Sequence, residues 1–201
     1  MENSKNERMQ SRLPTHRFEP LVEAQLELVW KWRNSDRVRK NMHDLNLIAW
    51  QEHLNWFSAL KCDASRHFFI MWQNDRPIGI LNFSKLDTSS PEWGCYLGET
   101  DVWPGSGIIL ELAALDYASH NPIFTHLDAQ VLSFNNAANK LHQVFEYERI
   151  KSVPAGQRNG QSFDILHYRY PLDLWSQKRD KVLAKLPKNI KLVAASIQFG
   201  N

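Results

Sequence analysis

Five residues, Trp103-Pro104-Gly105-Ser106-Gly107, stand between a β-rich run and an apolar stretch of helical period. A glycine turn that opens a helix presents free N–H groups and the positive end of the helix dipole, which together receive phosphate or pyrophosphate. Gly105 and Gly107 would let that backbone approach an anion, although glycine at such a turn also serves tight geometry alone. Two nucleotide motifs are excluded. A dinucleotide fingerprint wants glycine at Leu110, and a P-loop wants Gly-Lys-Ser/Thr.

Titratable groups cluster at three other places. His142 falls a turn or more into a helix that Asn135 would cap, and an imidazole near its ordinary pKa of ~6.5 exchanges protons at neutral pH. Glu92, Tyr96 and Glu99 share one strand, the first two on one face and Glu99 on the other, as bases or water-holders or as solvated strand-end groups. Arg33, Arg37 and Arg39 could meet a diphosphate by charge-assisted hydrogen bonds or form a solvated basic face. His43 and His53 could contact a substrate or act as a base, against the structural role usual for a histidine in a helix.

These groups need elements to hold them. Leu13 to Val22 reads as an edge strand interrupted by Pro14, followed by two helices, one from Glu23 through Val29 and Trp32 and one over Ile48 to Leu60. His67–Trp72 and Pro77–Phe83 form a hairpin about Asn74-Asp75-Arg76, and Glu92–Glu99 is a third strand. After the glycine turn comes a helix with Ile108, Leu112, Leu115 and Ala118 on its apolar face, then a strand over Thr125–Leu132 and the helix capped by Asn135. Arg149–Val153 and Phe163–Tyr170 close the order as strands joined by a loop, Ala155–Gln161. The order is β-α-α-β-β-β-α-β-α-β-β. Leu174–Leu186 adds a helix with a basic face, leaving the last dozen residues as a tail.

A chain of 201 residues with 43% apolar and 23% charged side chains suits one folded α/β domain. The expected organisation is a disordered tail over 1–12, a domain over 13–170, and a helical extension and tail over 171–201. A balance of 24 Lys+Arg against 22 Asp+Glu gives no field that argues for nucleic acid. Cys62 and Cys95 form no CxxC pair, so neither a metal site nor a disulfide is indicated and a reducing cytoplasm fits. No apolar run approaches a membrane span and the N-terminus shows no export signal.

Over residues 13 to 170 the order of elements and the local sequence resemble the GNAT family of acyl-CoA-dependent N-acetyltransferases. That family's pyrophosphate loop, Arg/Gln-x-x-Gly-x-Gly/Ala, is similar to Val102-Trp103-Pro104-Gly105-Ser106-Gly107, with Val102 at the Arg/Gln position. Its Asn-x-x-Ala-x-x-Leu-Tyr-x-x-x-Gly-Phe is similar to the run Asn135, Ala138, Leu141, His142, Glu146 and Tyr147, with His for Tyr and Glu for Gly. Trp32-Arg33-Asn34 through Arg39 and Met42, followed by Glu52-His53-Leu54-Asn55-Trp56-Phe57, resembles the branch that acetylates UDP-4-amino-deoxysugars for pathways of the pseudaminic acid type, which supply flagellin glycosylation.

The resemblance implies a mixed, mostly antiparallel sheet flanked by helices and splayed where acetyl-CoA binds, with no metal. Leu97, Val102, Gly105, Ser106, Gly107, Ile108, Asn135, Ala138 and Leu141 would surround the co-substrate. His142 would protonate the departing thiolate, with Glu92 and Tyr96 as further candidates for proton transfer. Arg33, Asn34, Arg39, Met42, His43, His53 and Trp56 would contact a nucleotide-sugar amine acceptor. Acetylation of a protein N-terminus or polyamine, and a silent acyl-CoA-binding module, stay open as alternatives, as does a homodimer.

Overall fold

A computed structural model describes residues 13–200; the tail expected over 1–12 lies outside them. Its strands are β1 (His16–Pro20), β2 (His67–Gln73), β3 (Arg76–Ser84), β4 (Glu92–Leu97), β5 (His126–Leu132), β6 (Glu148–Arg158), β7 (Gln161–Pro171) and β8 (Gln198–Phe199). The helices are α1 (Leu26–Asn34), α2 (Asp36–Arg39), α3 (Trp50–Leu60), α4 (Ser106–Ser119), α5 (Asn136–Val144), α6 (Trp175–Lys185) and α7 (Lys188–Ala194). One sheet runs β6-β7-β5-β4-β3-β2-β1-β8, antiparallel except at β4–β5 and β1–β8. α4 is apolar almost all round, with Ile109, Leu112, Ala113 and Leu115 fully buried, and such a helix must lie inside. It packs on one face of the sheet beneath α6 and α7, while Leu26, Val29, Trp32 and Phe57 of α1 and α3 cover Ile70 and Ile80 on the other.

The parallel pair β4–β5 is registered only at Glu92↔Asp128 and Trp93↔Ala129. Beyond it each strand keeps its outer neighbour, as Leu97 pairs with Gly79 and Leu132 with Ile165, but the two lose each other. The sheet therefore splays, and the inner edges of Gly94–Leu97 and Gln130–Leu132 face a gap instead of a ladder.

Three expectations are corrected. β1 is not an edge, because β8 pairs with it in parallel at Arg17↔Gln198 and Phe18↔Phe199. Residues 190–200 accordingly do not trail: Phe199 stacks on Phe18 at 4.9 Å and meets Tyr117 at 5.0 Å and Phe69 at 5.3 Å, partly burying an aromatic ring that a tail would leave in water. The loop expected over Ala155–Gln161 is strand as far as Arg158. Asn159 (φ 52°) and Gly160 (φ 75°) make the turn, the two left-handed positions of a type I′ hairpin.

The basic helix α6 is docked. Asp116 of α4 accepts from Trp175 Nε1 at 2.7 Å and takes Arg179 in a bidentate pair at 2.8 Å. Glu146 sits left-handed (φ 64°) where the resembled motif has glycine, and its carboxylate meets Lys185 at 2.8 Å and Lys178 at 3.0 Å. Those hydrogen bonds and charges hold its pKa down at about 2. A depressed carboxyl stabilises the fold above its unfolded value near 4.5, and that contribution is lost as pH falls toward 2. Glu146→Gln is expected to melt at most about 4 °C lower than wild type at pH 7, the gap closing as both are acidified from pH 5 to 2. A gap that persists at pH 2 would assign the loss to packing.

Candidate active site

The splay opens into a cleft of about 900 Å³ between the sheet and an overhang made of α1, α2, α3 and the loop 40–49. On the sheet side its lining includes Glu92, Tyr96 and Leu97 from β4, Gly107 from α4, and Asn135, Ala138, Leu141 and His142 at and within α5. On the overhanging side are Arg33, Arg37, Met42, His43, His53 and Trp56. The fold thus brings together most of the residues whose types pointed to chemistry.

The others lie outside the lining. Asn34 spends both ends of its carboxamide on Ile48, donating to its carbonyl at 2.9 Å and accepting from its N–H at 2.8 Å. Arg39 donates to the Leu45 carbonyl at 2.8 Å and pairs with Asp36, bracing the loop. Val102 and Ile108 pack against the core, and Ser106 is fully buried with its hydroxyl toward Gln73 Oε1 at 3.3 Å and His16 Nε2 at 3.4 Å. Gly105, the residue before α4, is tight against Trp103 and Ile190, which a Cβ there would meet at 2.1 and 2.4 Å. Gly107 differs, since a Cβ would meet only Leu141 at 3.8 Å, and its amide has no acceptor among the described residues. An open small-residue position and a free N–H at a helix start fit an anionic group.

His142 and Glu111 form a buried pair, 3% and 2% exposed, with Nδ1 2.8 Å from Oε1. Tyr147 stacks on the imidazole at 4.6 Å, and Tyr168 meets it edge-on at 4.8 Å. A carboxylate at Nδ1 fixes that nitrogen as the donor and leaves Nε2 as the exchanging site. Burial, reinforced by the Glu111 charge, pushes the Tyr147 hydroxyl well up, so it is not ionised near neutrality. Glu92 accepts from Gln130 at 2.8 Å and from Lys85 at 3.0 Å. The Tyr96 hydroxyl is raised by burial, against the opposing pull of Arg33.

His53 is buried, its Nε2 3.1 Å from the Leu26 carbonyl, and stacks on Trp56 at 5.0 Å. Burial lowers its pKa, so near neutrality the uncharged ring donates from Nε2 and presents Nδ1 as an acceptor. The overhang is tied to the end of β4 by Arg37, which donates to the Gly98 carbonyl at 2.6 Å, and by Trp32, whose Nε1 donates to Glu99 at 2.8 Å. Arg33 donates through NH2 to the Asp44 carbonyl at 3.1 Å, while its NH1 is buried without a partner.

Sequence reasoning passed over Glu111, although a lone carboxylate amid Ile108–Leu115 is a visible signal of a buried polar role. The contact that ties Arg37 to Gly98 spans 61 residues and left no such mark. Among the described residues no three His, Cys, Asp or Glu side chains are grouped to hold a metal ion, and no helix is long and apolar enough to cross a membrane.

No family model matches the chain. Acetyltransferase PseH of Campylobacter jejuni is 32% identical over 126 residues, covering 63% of this chain and 78% of that protein. The chain belongs to the GNAT N-acetyltransferases. The crystal structure of C. jejuni PseH shares the GNAT fold with a TM-score of 0.58 at 23% identity, over 79% of this chain and 99% of that one. Spermidine N-acetyltransferase from Vibrio cholerae, in complex with CoA and spermine, superposes with a TM-score of 0.70 at 14% identity over 79% of this chain and 96% of that one. Within this GNAT chain, the splay between β4 and β5 and the cleft beneath it are the features that bear on acyl transfer.

Proposed function

We propose that this N-acetyltransferase carries an acetyl group from acetyl-CoA to the amine of a nucleotide-linked 4-amino-deoxysugar, in the cytoplasm and in a pathway of the pseudaminic acid type that feeds flagellin glycosylation. The observation that carries the reading is Arg33 NH1, a buried guanidinium donor without a partner on a residue that lines the cleft. A buried cationic donor calls for an anionic acceptor, which a nucleotide diphosphate supplies and a polyamine or a peptide amine does not. Two of the three carboxylates lining the cleft are engaged, Glu111 with His142 and Glu92 with Lys85 and Gln130, which leaves Glu52 alone on the overhanging side.

Acetyl-CoA supplies an activated thioester, held by the Gly107 amide at its phosphates and by the open edge of β4 along its pantetheine. The acceptor amine attacks the carbonyl, forming C–N as C–S breaks. His142 then gives the leaving thiolate a proton from Nε2, with Glu111 stabilising the imidazolium before transfer. His53, whose Nε2 donates to Leu26 and whose Nδ1 is left as an acceptor, would take a proton from the incoming amine.

In a thiol-release assay the UDP-4-amino-deoxysugar is expected to exceed spermidine and an N-terminal peptide by about 10²-fold or more in kcat/KM. Arg33→Ala should raise KM for the sugar nucleotide about 10-fold, the size of one lost charge-assisted hydrogen bond, with the Kd for CoA unchanged. Preference for the peptide or polyamine would overturn the acceptor, and no thiol release with any amine would leave an acyl-CoA-binding module.

A further inference from the structure

We propose that Arg158, at the tip of the β6–β7 hairpin, is a positioning residue that fixes the acceptor loop and so sets affinity for the amine without touching either substrate. The inference rests on the reading of the overhang as the acceptor side. Arg158 donates from NH1 to the Lys40 carbonyl at 2.9 Å, and from NH2 to Met42 at 2.6 Å and His43 at 2.9 Å. Met42 and His43 line the cleft, whereas Arg158 does not. Its guanidinium lies over the Phe163 ring at 4.7 Å and the Phe134 ring at 5.3 Å.

The rest of the hairpin explains why this matters. Residues 148–157 of β6 are exposed, and among the described residues β6 has no neighbour on its outer side, so the strand gains little from its own burial. The β5–β7 ladder ends at Leu132↔Ile165, so the last residues of the hairpin overhang the sheet and carry Arg158 past the β5–α5 corner, beside Phe134, to the loop across the cleft. Loop 40–49 has no regular structure, and its carbonyls must be satisfied from elsewhere. One planar guanidinium satisfies three of them in a fixed fork, while the faces of Phe134 and Phe163 hold the fork from the side of α5. The two walls of the cleft are thereby joined through a residue separated by 115 to 118 positions from its partners.

Arg158→Lys keeps the charge but loses the fork, so it is expected to behave like Arg158→Ala. In the full chain with CoA bound, both should speed amide exchange at least ~10-fold over 40–48 and leave α4 and β3 unchanged, as three lost hydrogen bonds to one cation would. With whichever amine is turned over, KM for the acceptor should rise about 10-fold, while kcat at saturation and the Kd for CoA stay within about twofold. Unchanged exchange over 40–48 overturns the proposal, as does a parallel fall in kcat and CoA affinity, which would mark a general stabilising role. The exchange arm needs no acceptor, so a wrong acceptor leaves it readable and fails only the reading on which the proposal rests.

Discussion

His142→Ala is expected to lower kcat about 10²-fold, at the lower end of what a positioned general acid contributes, with the Kd for CoA within about twofold of wild type. The single variant also strands the Glu111 carboxylate at 2% exposure, and removing one partner of a buried charged pair costs about 3–5 kcal/mol. The double variant His142→Ala/Glu111→Gln separates the two effects, because the neutral amide relieves the orphaned charge without restoring a proton donor. Its thermal stability should recover much of the loss while kcat stays about 10²-fold down. Glu111→Gln alone leaves an imidazole whose tautomer is no longer enforced, and an intermediate loss is expected. Tyr at position 142 restores an acidic hydroxyl there and should recover part of the rate. A double variant that keeps wild-type kcat from pH 6 to 9 would assign the proton to another group.

What could be read in the sequence follows the range of the interactions that fix each part. The run from β2 to α5 was legible because alternation, an all-apolar helix and an Asn cap are local signals; Asn135 accepts from the Ala138 N–H at 3.3 Å as its residue type predicts. The hairpin β6–β7 was read too short because Pro154 and Gly156 look like loop residues. The structure absorbs them in a bulge on an edge strand, with Gly156 at φ 127°. β8 is two residues long and exists because Phe199 fills an aromatic cluster, a cause with no periodicity to detect. At the site, cleft-facing types such as His142, Arg33 and His53 were found by chemistry. Asn34 and Arg39 carried the same chemistry, but their bonds to Ile48 and Leu45 turn it to holding the loop. Arg158 left no local trace, since its partners lie more than a hundred residues away.

The two glycines of the turn before α4 carry the largest contrast. Both were flagged for backbone approach to an anion, yet only one position is open. Gly105 has φ −87° and ψ −6°, a conformation any residue adopts, so its requirement is space: a methyl group would lie 2.1 Å from the Trp103 ring and 2.4 Å from Ile190. Gly105→Ala is therefore expected to destabilise the fold by about 1–3 kcal/mol, as overpacking does, and to lower Tm with only a secondary effect on CoA affinity measured below the transition. At Gly107 the nearest atom to a Cβ is Leu141 Cδ1 at 3.8 Å, so Gly107→Val should fold with little change in Tm. Its branched side chain would stand in the cleft beside the free amide and keep a phosphate from reaching it. Losing one hydrogen bond to a charged group, at about 1.5–3 kcal/mol, predicts a rise of about 10-fold to 10²-fold in the Kd for CoA by calorimetry. Unchanged affinity in Gly107→Val would move the phosphates away from this helix start. An equal loss of stability in both variants would show that the turn's small residues serve packing and not a ligand.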